Sequence, residues 1–330
     1  MALAQAIKQK AMALGFDLVG IAPAAKTDHG DYVRSFLAAG RHGEMHYLAA
    51  RLEERLDPAV YFPGARSAVC VGLNYHVPLE ADGDGGLGRG GAGGGGAGGD
   101  ARGRIARYAL ADDYHELLKG RLHQLADFIR VSAPGAATRA AVDTAPVLER
   151  ELAARSGIGW VGKNTMLISP NIGSYFVIGE VLTTVELAAD GPAVDRCGTC
   201  TRCLEACPTG AFPVAYQMDA SRCISYLTIE HRSAMAPPLE AQLGDWLYGC
   251  DICQEVCPWN SRAPTAIASE LQPRWPAGTV SAAEVAGWSD EEYRNKLRRS
   301  AIKRVKLPVL RSRAMRIAGA GPQGGEAPSL

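Results

Sequence analysis

The residues of this chain with the clearest chemical potential are its thiols. Nine cysteines stand at 70, 197, 200, 203, 207, 223, 250, 253 and 257, and eight of them fall within the 61 residues from Cys197 to Cys257. A reducing cytosol disfavours disulfides, so clustered thiols there point to metal. The spacing then selects the metal. Cys197, Cys200, Cys203 and Cys207, followed by Pro208, read C-x2-C-x2-C-x3-C-P, the bacterial ferredoxin run. Cys250, Cys253 and Cys257, followed by Pro258, repeat its second half, and Cys223 supplies a further thiolate. Zinc held by paired C-x2-C knuckles is the alternative. Against it, the run sets three cysteines at successive two-residue gaps and adds a Cys-Pro. Eight thiolates match two [4Fe–4S] cubanes at four each. In such modules the fourth cysteine of each run crosses to the other cluster. The spacing therefore predicts Cys197, Cys200, Cys203 and Cys257 on one cluster and Cys207, Cys223, Cys250 and Cys253 on the other. Cys70 sits in the apolar run SAVCVGLNY and reads as a small core residue.

The rest of the chain must position these groups. Its 330 residues are 47% hydrophobic and 21% charged, a globular composition with room for two or three domains. Lysine plus arginine equals aspartate plus glutamate at 35 each, which excludes a uniformly basic nucleic-acid coat. No apolar run reaches membrane-spanning length, and Lys8 and Lys10 interrupt what a signal peptide would need. A soluble, cytoplasmic protein is expected. The charge balance breaks locally: from Arg294 to Arg316 there are ten lysines and arginines and no acid. A solvated helix face usually alternates sign, so this stretch fits a polyanion.

Hydrophobic periodicity predicts an N-terminal helix with Leu3, Ile7, Ala11 and Leu14 on one face, then a strand in FDLVGIAP and another over 67–75. A helix is expected over 112–130, buried through Leu117, Leu118, Leu122, Leu125 and Ile129. AAVDT should end a strand, Pro146 should open a helix running through VLERELAARSG, and SYFVIGEVLTTVEL should be a strand. Between 82 and 99, twelve of eighteen residues are glycine, which reads as a mobile surface insertion. Two motifs are set aside. Gly157 to Lys163 reads G-x4-G-K, but Asn164 stands where a phosphate loop needs Ser or Thr. Asp113-Tyr114-His115 begins like the D-x-H-x-x-G motif of some cobalamin enzymes, but Leu118 replaces the glycine and the segment reads as mid-helical.

Beyond the cysteines, GEMHYL (43–48), RLDPAVYFPGARSAVCVGLNY (55–75), RYALADDYHELLK (107–119), VDTAPVLER (142–150), SGIGWVGKNTMLISP (156–170), CISYLTIEHR (223–232) and LYGCDICQEVCPWN (247–260) occur in this order. Together they resemble the epoxyqueuosine reductase family, over about residues 1–316. The resemblance implies an α+β protein in three parts. Residues 1–190 would be a cobalamin- and substrate-binding α/β domain related to flavin-reductase-like folds, with the insertion over 82–103. Residues 191–262 would be a ferredoxin-like double-cluster module, and 263–330 a short, basic, helical tRNA-binding segment with a disordered tail.

The implied reaction reduces epoxyqueuosine in the tRNA anticodon to queuosine, with two electrons passing through the clusters to cobalamin. Matching motif by motif, Asp143 is implied as the proton donor; on sequence alone it serves equally as a helix N-cap. Burial would be needed to keep that carboxyl protonated near neutrality. Implied cobalamin contacts are Arg66, Arg107, Asp143, Glu149, Arg150, Gly162, Lys163, Leu167, Ser169, Ser225, Cys250 and Asp251. Arg298, Arg299, Lys303 and Arg304 are expected to hold the tRNA. The implied partners are tRNA bearing epoxyqueuosine and an external low-potential donor of ferredoxin or flavodoxin type, with no membrane and a monomeric enzyme. Family members that carry helical repeats after the basic segment are longer; here GAGPQGGEAPSL follows Arg316. The competing readings are a cobalamin-dependent reductive dehalogenase and a plain ferredoxin-type carrier, and the second leaves the upstream residues without a purpose.

Overall fold

The computed structural model describes residues 1–80 and 101–319. The glycine-rich stretch at 82–99 and the tail beyond 319 lie outside the described residues. Four antiparallel strands form the main sheet in the order β1-β2-β7-β4: β1 (Leu18–Pro23), β2 (Ser67–Asn74), β7 (Phe176–Thr183) and β4 (Thr138–Ala141). All eight positions of β2 are buried, so both faces of the sheet must be covered. Alternation does this: Val69, Val71 and Leu73 face one layer, Ala68 and Cys70 the other.

The helices Ala2–Ala13 and Tyr114–Ser132 cover the first face. Leu118, Leu122, Leu125 and Ile129 recur at helical spacing and are fully buried there, each worth roughly 1.5–3 kcal/mol. Glu149–Arg155 covers the second face through Leu152 and Ala153. This helix starts later than the sequence suggests. Pro146 lies outside it, because Thr144 N–H donates to Val142 and Val147 N–H to Ala145, turns that hold the chain out of helix until Leu148.

A second sheet was not expected from the sequence. Its order is β8-β3-β9, with β3 (Arg102–Ile105) parallel to β8 (Trp246–Tyr248) and antiparallel to β9 (Thr279–Ser281). Arg102 and Gly103, expected inside the insertion, are therefore paired strand residues. The sheet also ties together the three segments expected as separate domains. Its core joins Ile105, Leu110, Tyr248, Val280, Trp288, Leu297 and Leu310, so the C-terminal segment packs as part of the body. Short strands β5 (Trp160–Val161) and β6 (Leu167–Ile168) form a hairpin between the main sheet and the cysteine module. Among the described residues no helix is long and apolar enough to cross a membrane.

The cysteine module docks at the Phe176 end of β7 through a buried polar network. Asn260 Oδ1 accepts from Ser174 N–H at 2.7 Å, and Asn260 Nδ2 donates to Ser174 Oγ at 2.9 Å and to the Gln254 carbonyl at 2.8 Å. Ser174 Oγ in turn donates to Gln254 Oε1 at 3.0 Å. Gly173 precedes this seam at φ 69°, and a Cβ there would lie 2.1 Å from Asn260 Oδ1. Gly173→Ala should thus cost about 1–3 kcal/mol of unfolding free energy. Gly120 sits inside a helix with nothing within 4 Å of its would-be Cβ, so Gly120→Ala should stabilise by about 0.5–1 kcal/mol. Denaturant titration of both variants checks the contrast; equal shifts would remove the packing argument.

Candidate functional site

Seven of the eight clustered cysteines are partly accessible and Cys257 is buried. Burial, with Cys257, Cys197 and Cys200 close by, pushes the Cys203 thiol up to about 11. Cys257 is likewise raised by burial and by Cys197 and Cys200. Burial raises Cys250, with Cys253 and Cys223 adding to it; Cys223 is raised by its own burial and by Cys207. None of the nine cysteines is in a disulfide. Cys253 is raised by burial and by Cys223, and Cys203 and Cys207 also weigh on it, so the eight thiols lie close together in one module. Four thiols crowded against one another resist ionising together, and a cluster's iron relieves that cost by accepting their charge. The donor set fits two cubanes. Cys70 is buried in β2 at 0% exposure, raised by burial and remote from that module.

Two short helical turns, Arg202–Glu205 and Ile252–Glu255, lie within the two halves of the repeat, carry Cys203 and Cys253, and pack together. Gly249, at φ 69°, lets the chain pass Ala106 on its way to Cys250; a Cβ there would lie 2.5 Å from that side chain. Beside it, buried Asp251 accepts from Arg107 N–H at 2.7 Å, and burial pushes its carboxyl up to about 6. Arg107 Nη1 donates to the Val77 carbonyl, and its guanidinium lies 5.2 Å over the Tyr175 ring. Arg107 and Asp251 therefore brace the wall next to Cys250.

Asp143 follows β4 with φ 45°, a left-handed conformation costing a non-glycine residue roughly 1–2 kcal/mol. It caps no helix: Glu149–Arg155 begins after Leu148 without a side-chain cap. Nor is it buried, since its side chain is 52% exposed. Its backbone N–H donates to Glu149 Oε1 at 2.5 Å, and its Oδ2 lies 3.1 Å from His115 Nε2. Glu149 is partly accessible and Arg150 exposed, and Glu149 meets Asp143 beyond the end of β4. Burial, then the charge of Asp143, pushes Glu149 up. Arg150 Nη1 donates to the Thr165 carbonyl at 2.5 Å.

The remaining expected contacts divide. Ser225 and Cys250 are partly accessible. Lys163 Nζ donates to the carbonyls of Gly198 at 2.6 Å and Cys200 at 3.0 Å, clamping the loop of the first cysteine group. Leu167 and Ser169 are buried in the hairpin region, the Ser169 hydroxyl accepting from Asn171 N–H, and a Cβ on Gly162 would meet Ile168 at 2.5 Å. Arg66 lies at the far end of β2 from the cysteine module. It precedes Ser67 and pairs with Glu186, whereas the cysteine module sits at the Asn74 end of β2, roughly 23 Å along the strand.

Sequence reasoning missed His115. Asp113 is the N-cap of Tyr114–Ser132, accepting from His115 N–H at 3.0 Å, so Asp113-Tyr114-His115 opens the helix instead of lying within it. The Asp N-cap preference was the available signal; the pairing with Asp143, 28 residues on, had none. Burial pulls the His115 imidazole down, but the hydrogen bonds and charges of Asp113 and Asp143 outweigh it and hold it at about 9. Glu180 was also missed: it is fully buried in β7, neither oxygen has a partner among the described residues, and burial beside Glu149 raises it well above the carboxylate range.

The basic stretch is only partly free. Arg298 and Lys303 are exposed. Arg299 pairs with Asp112 at 3.2 Å and Arg304 with Glu230 at 2.5 Å. Arg313 is buried against the carbonyls of Leu227 and Thr228, and Arg311 donates to Trp288.

The chain is similar to known proteins over most of its length. Residues 196–260 match the 4Fe-4S double cluster binding domain, and residues 55–144 match Epoxyqueuosine reductase QueG, DUF1730. An epoxyqueuosine reductase of Pseudomonas aeruginosa is 40% identical over 92% of this chain and 81% of its own length. That of Gloeobacter violaceus is 41% identical over 95% of both. A crystal structure of an epoxyqueuosine reductase with a tRNA-Tyr epoxyqueuosine-modified tRNA stem loop aligns at TM-score 0.84 and 28% identity, covering 97% of this chain and 81% of that one. A Bacillus subtilis epoxyqueuosine reductase with its catalytic loop swung out of the active site aligns equally well, at TM-score 0.84.

Anaerobic reconstitution should therefore load about eight iron per chain. Cys253→Ser should lose about half of it, and Cys70→Ser none. Iron and sulfide analysis decides; stoichiometric zinc, or iron loss in the Cys70 variant, would contradict the cluster grouping.

Proposed function

The chain belongs to the epoxyqueuosine reductase family, and from that premise we propose how its residues carry out the family's reaction. The enzyme is an oxidoreductase that reduces an epoxide to an alkene with iron–sulfur electron transfer. The substrate we assign is epoxyqueuosine in a tRNA anticodon, with queuosine and water as products. The cofactor we assign beside the clusters is cobalamin. The periphery of that macrocycle carries amides, which the mixed carboxylates and guanidinium of the Asp143, Glu149 and Arg150 cleft can pair with, and Ser225 and Cys250 supply the accessible edge toward the second cysteine group. When bound, cobalamin supplies a cobalt centre able to gather two electrons that arrive singly.

The protein's own residues do the rest. Cys197, Cys200, Cys203 and Cys257 hold one cluster, and Cys207, Cys223, Cys250 and Cys253 hold the other, next to the cleft. Arg107 and Asp251 fix the position of Cys250, and Lys163 fixes the outer loop. Leu167, Ser169 and Gly162 shape the wall from behind. Arg66 is left out of the set because its place on β2 is remote. Electrons enter from an external low-potential carrier of ferredoxin or flavodoxin type, and the enzyme works as a cytoplasmic monomer.

Asp143 is the proton donor. The observation that carries this role is its conformation: at φ 45° a half-exposed carboxylate is set beside His115, while its own N–H is held by Glu149. Backbone strain kept at one acidic residue at the mouth of a cleft is the signature of a functional position. A proton delivered to the departing oxygen contributes ~10²–10⁴-fold. Asp143→Asn should keep both clusters and bind cobalamin, yet lose that factor in turnover of epoxyqueuosine-containing tRNA. Parental turnover in that variant would remove Asp143 from the reaction.

The tRNA lies along the exposed part of the basic stretch. Arg304 is close enough to Asp143 to feel its charge, which brings this stretch to the cleft. Phosphate contacts position a nucleic acid and release counterions. Arg298→Ala with Lys303→Ala should weaken tRNA binding and flatten its salt dependence by about one to two ions, whereas Arg313→Ala should lower stability first. Affinities at several salt concentrations check this; unchanged slopes would place the tRNA elsewhere.

A further inference from the structure

We propose that Asp113 and His115 form a proton relay that reloads Asp143 from a solvent-filled cavity separate from the active cleft. The inference rests on the reading of Asp143 as proton donor and extends it to the source of the protons.

The relay is continuous. Asp113 Oδ1 lies 2.6 Å from His115 Nδ1, and His115 Nε2 lies 3.1 Å from Asp143 Oδ2. Both imidazole nitrogens are thus within hydrogen-bond reach of a carboxylate, the geometry proton transfer through a histidine requires. Asp113 also lines a cavity of about 400 Å³, walled further by Asp112, Glu116, Arg121, Glu270 and Arg299. Neither Asp143, Glu149 nor Arg150 lines it. One residue therefore touches water on one side and the histidine on the other. The imidazole is held in register by stacking on Tyr114, with ring centroids 4.1 Å apart.

The reaction creates the need. Each epoxide consumes two electrons and two protons as its oxygen leaves in water; the electrons come from the external carrier through the clusters. Asp143 faces the cleft, and a bound base and cofactor fill that side and shut out water. When Asp143 gives its proton to the departing oxygen, the O–H bond forms as the C–O bond breaks, and the carboxylate is left charged. His115 Nε2 then protonates Asp143, leaving a neutral ring with its proton on Nδ1; the ring turns about its Cβ–Cγ bond, and its bare nitrogen takes a proton that Asp113 has drawn from cavity water, which restores the imidazolium. Two passages supply both protons.

Protonated His115 is the competent form, so the relay works below its pKa of about 9 and fails as the pH rises through it. The groups acting on His115 are Asp113, Asp143 and, across the cleft, Glu149. Lys119 acts on Asp113, and Arg55 and Arg304 feel Asp143.

Two measurements test the relay. In the loaded enzyme with epoxyqueuosine-containing tRNA, His115→Gln should lower kcat about 10²-fold with KM within twofold, and should lose the alkaline limb of the parental pH profile near 9. Added imidazole should restore the rate in proportion to its concentration in His115→Gln but not in Asp143→Asn. Independently of activity, the His115 ring titration followed by NMR should fall from about 9 in Asp113→Asn and in Asp143→Asn. Parental kcat in His115→Gln, a slowed variant that imidazole leaves unrescued, or a His115 titration indifferent to both aspartates would each overturn the relay. A parental enzyme inactive on the tRNA would instead overturn the functional reading, and the NMR titration would still decide whether the three groups are coupled.

Discussion

The structure depends on the seam where Asn260, Gln254 and Ser174 join the cysteine module to the end of the main sheet. All three are nearly inaccessible to water, so an unmade hydrogen bond among them costs about 1–3 kcal/mol. That penalty allows one docking geometry. Gln254 extends the constraint, donating to Asp251 Oδ1 at 3.0 Å, and Asp251 holds the backbone of Arg107. The residue before Asp251 is Cys250. A chain of buried polar contacts therefore runs from β7 to the residue beside Cys250.

The second sheet explains why three sequence segments behave as one body. β3 comes directly after the glycine-rich stretch, β8 directly before Cys250, and β9 after the module. With strands of only three or four residues, periodicity has too few positions to register, and this sheet could not be read from the sequence. The main sheet could, because β2 and β7 are eight residues each and carry the β-branched Val69, Val71, Val177, Ile178 and Val181. The cysteine spacing was legible for another reason: ligand geometry is local, so short gaps encode it directly. The His115–Asp143 contact is non-local, and neither residue carries a mark of its partner. The helix start at Asp113 was legible and was misread, since the apolar stripe that begins at Leu117 hides where the helix opens.

Charge density along the sequence overstates the available basic surface. Of the stretch from Arg294 to Arg316, Arg311 and Arg313 serve backbone carbonyls, and Lys296, Arg299 and Arg304 meet acids. Buried Arg313 does for the Leu227 and Thr228 carbonyls what water would do at a helix end. A run of like charges thus does two jobs, closing the C-terminal core and leaving a smaller exposed set that includes Arg298 and Lys303.

The site separates its two supplies. Electrons arrive one at a time from the cysteine module. Protons arrive through the opening turn of Tyr114–Ser132, on the face of the sheet that this helix covers. Had both entered through the cleft, the bound tRNA would block one of them, because a base held deeply enough to meet Asp143 leaves no room for water. Strain at Asp143 is the local consequence. Its left-handed backbone lets one carboxylate address the cleft in front and His115 behind, which an extended residue continuing β4 could not do.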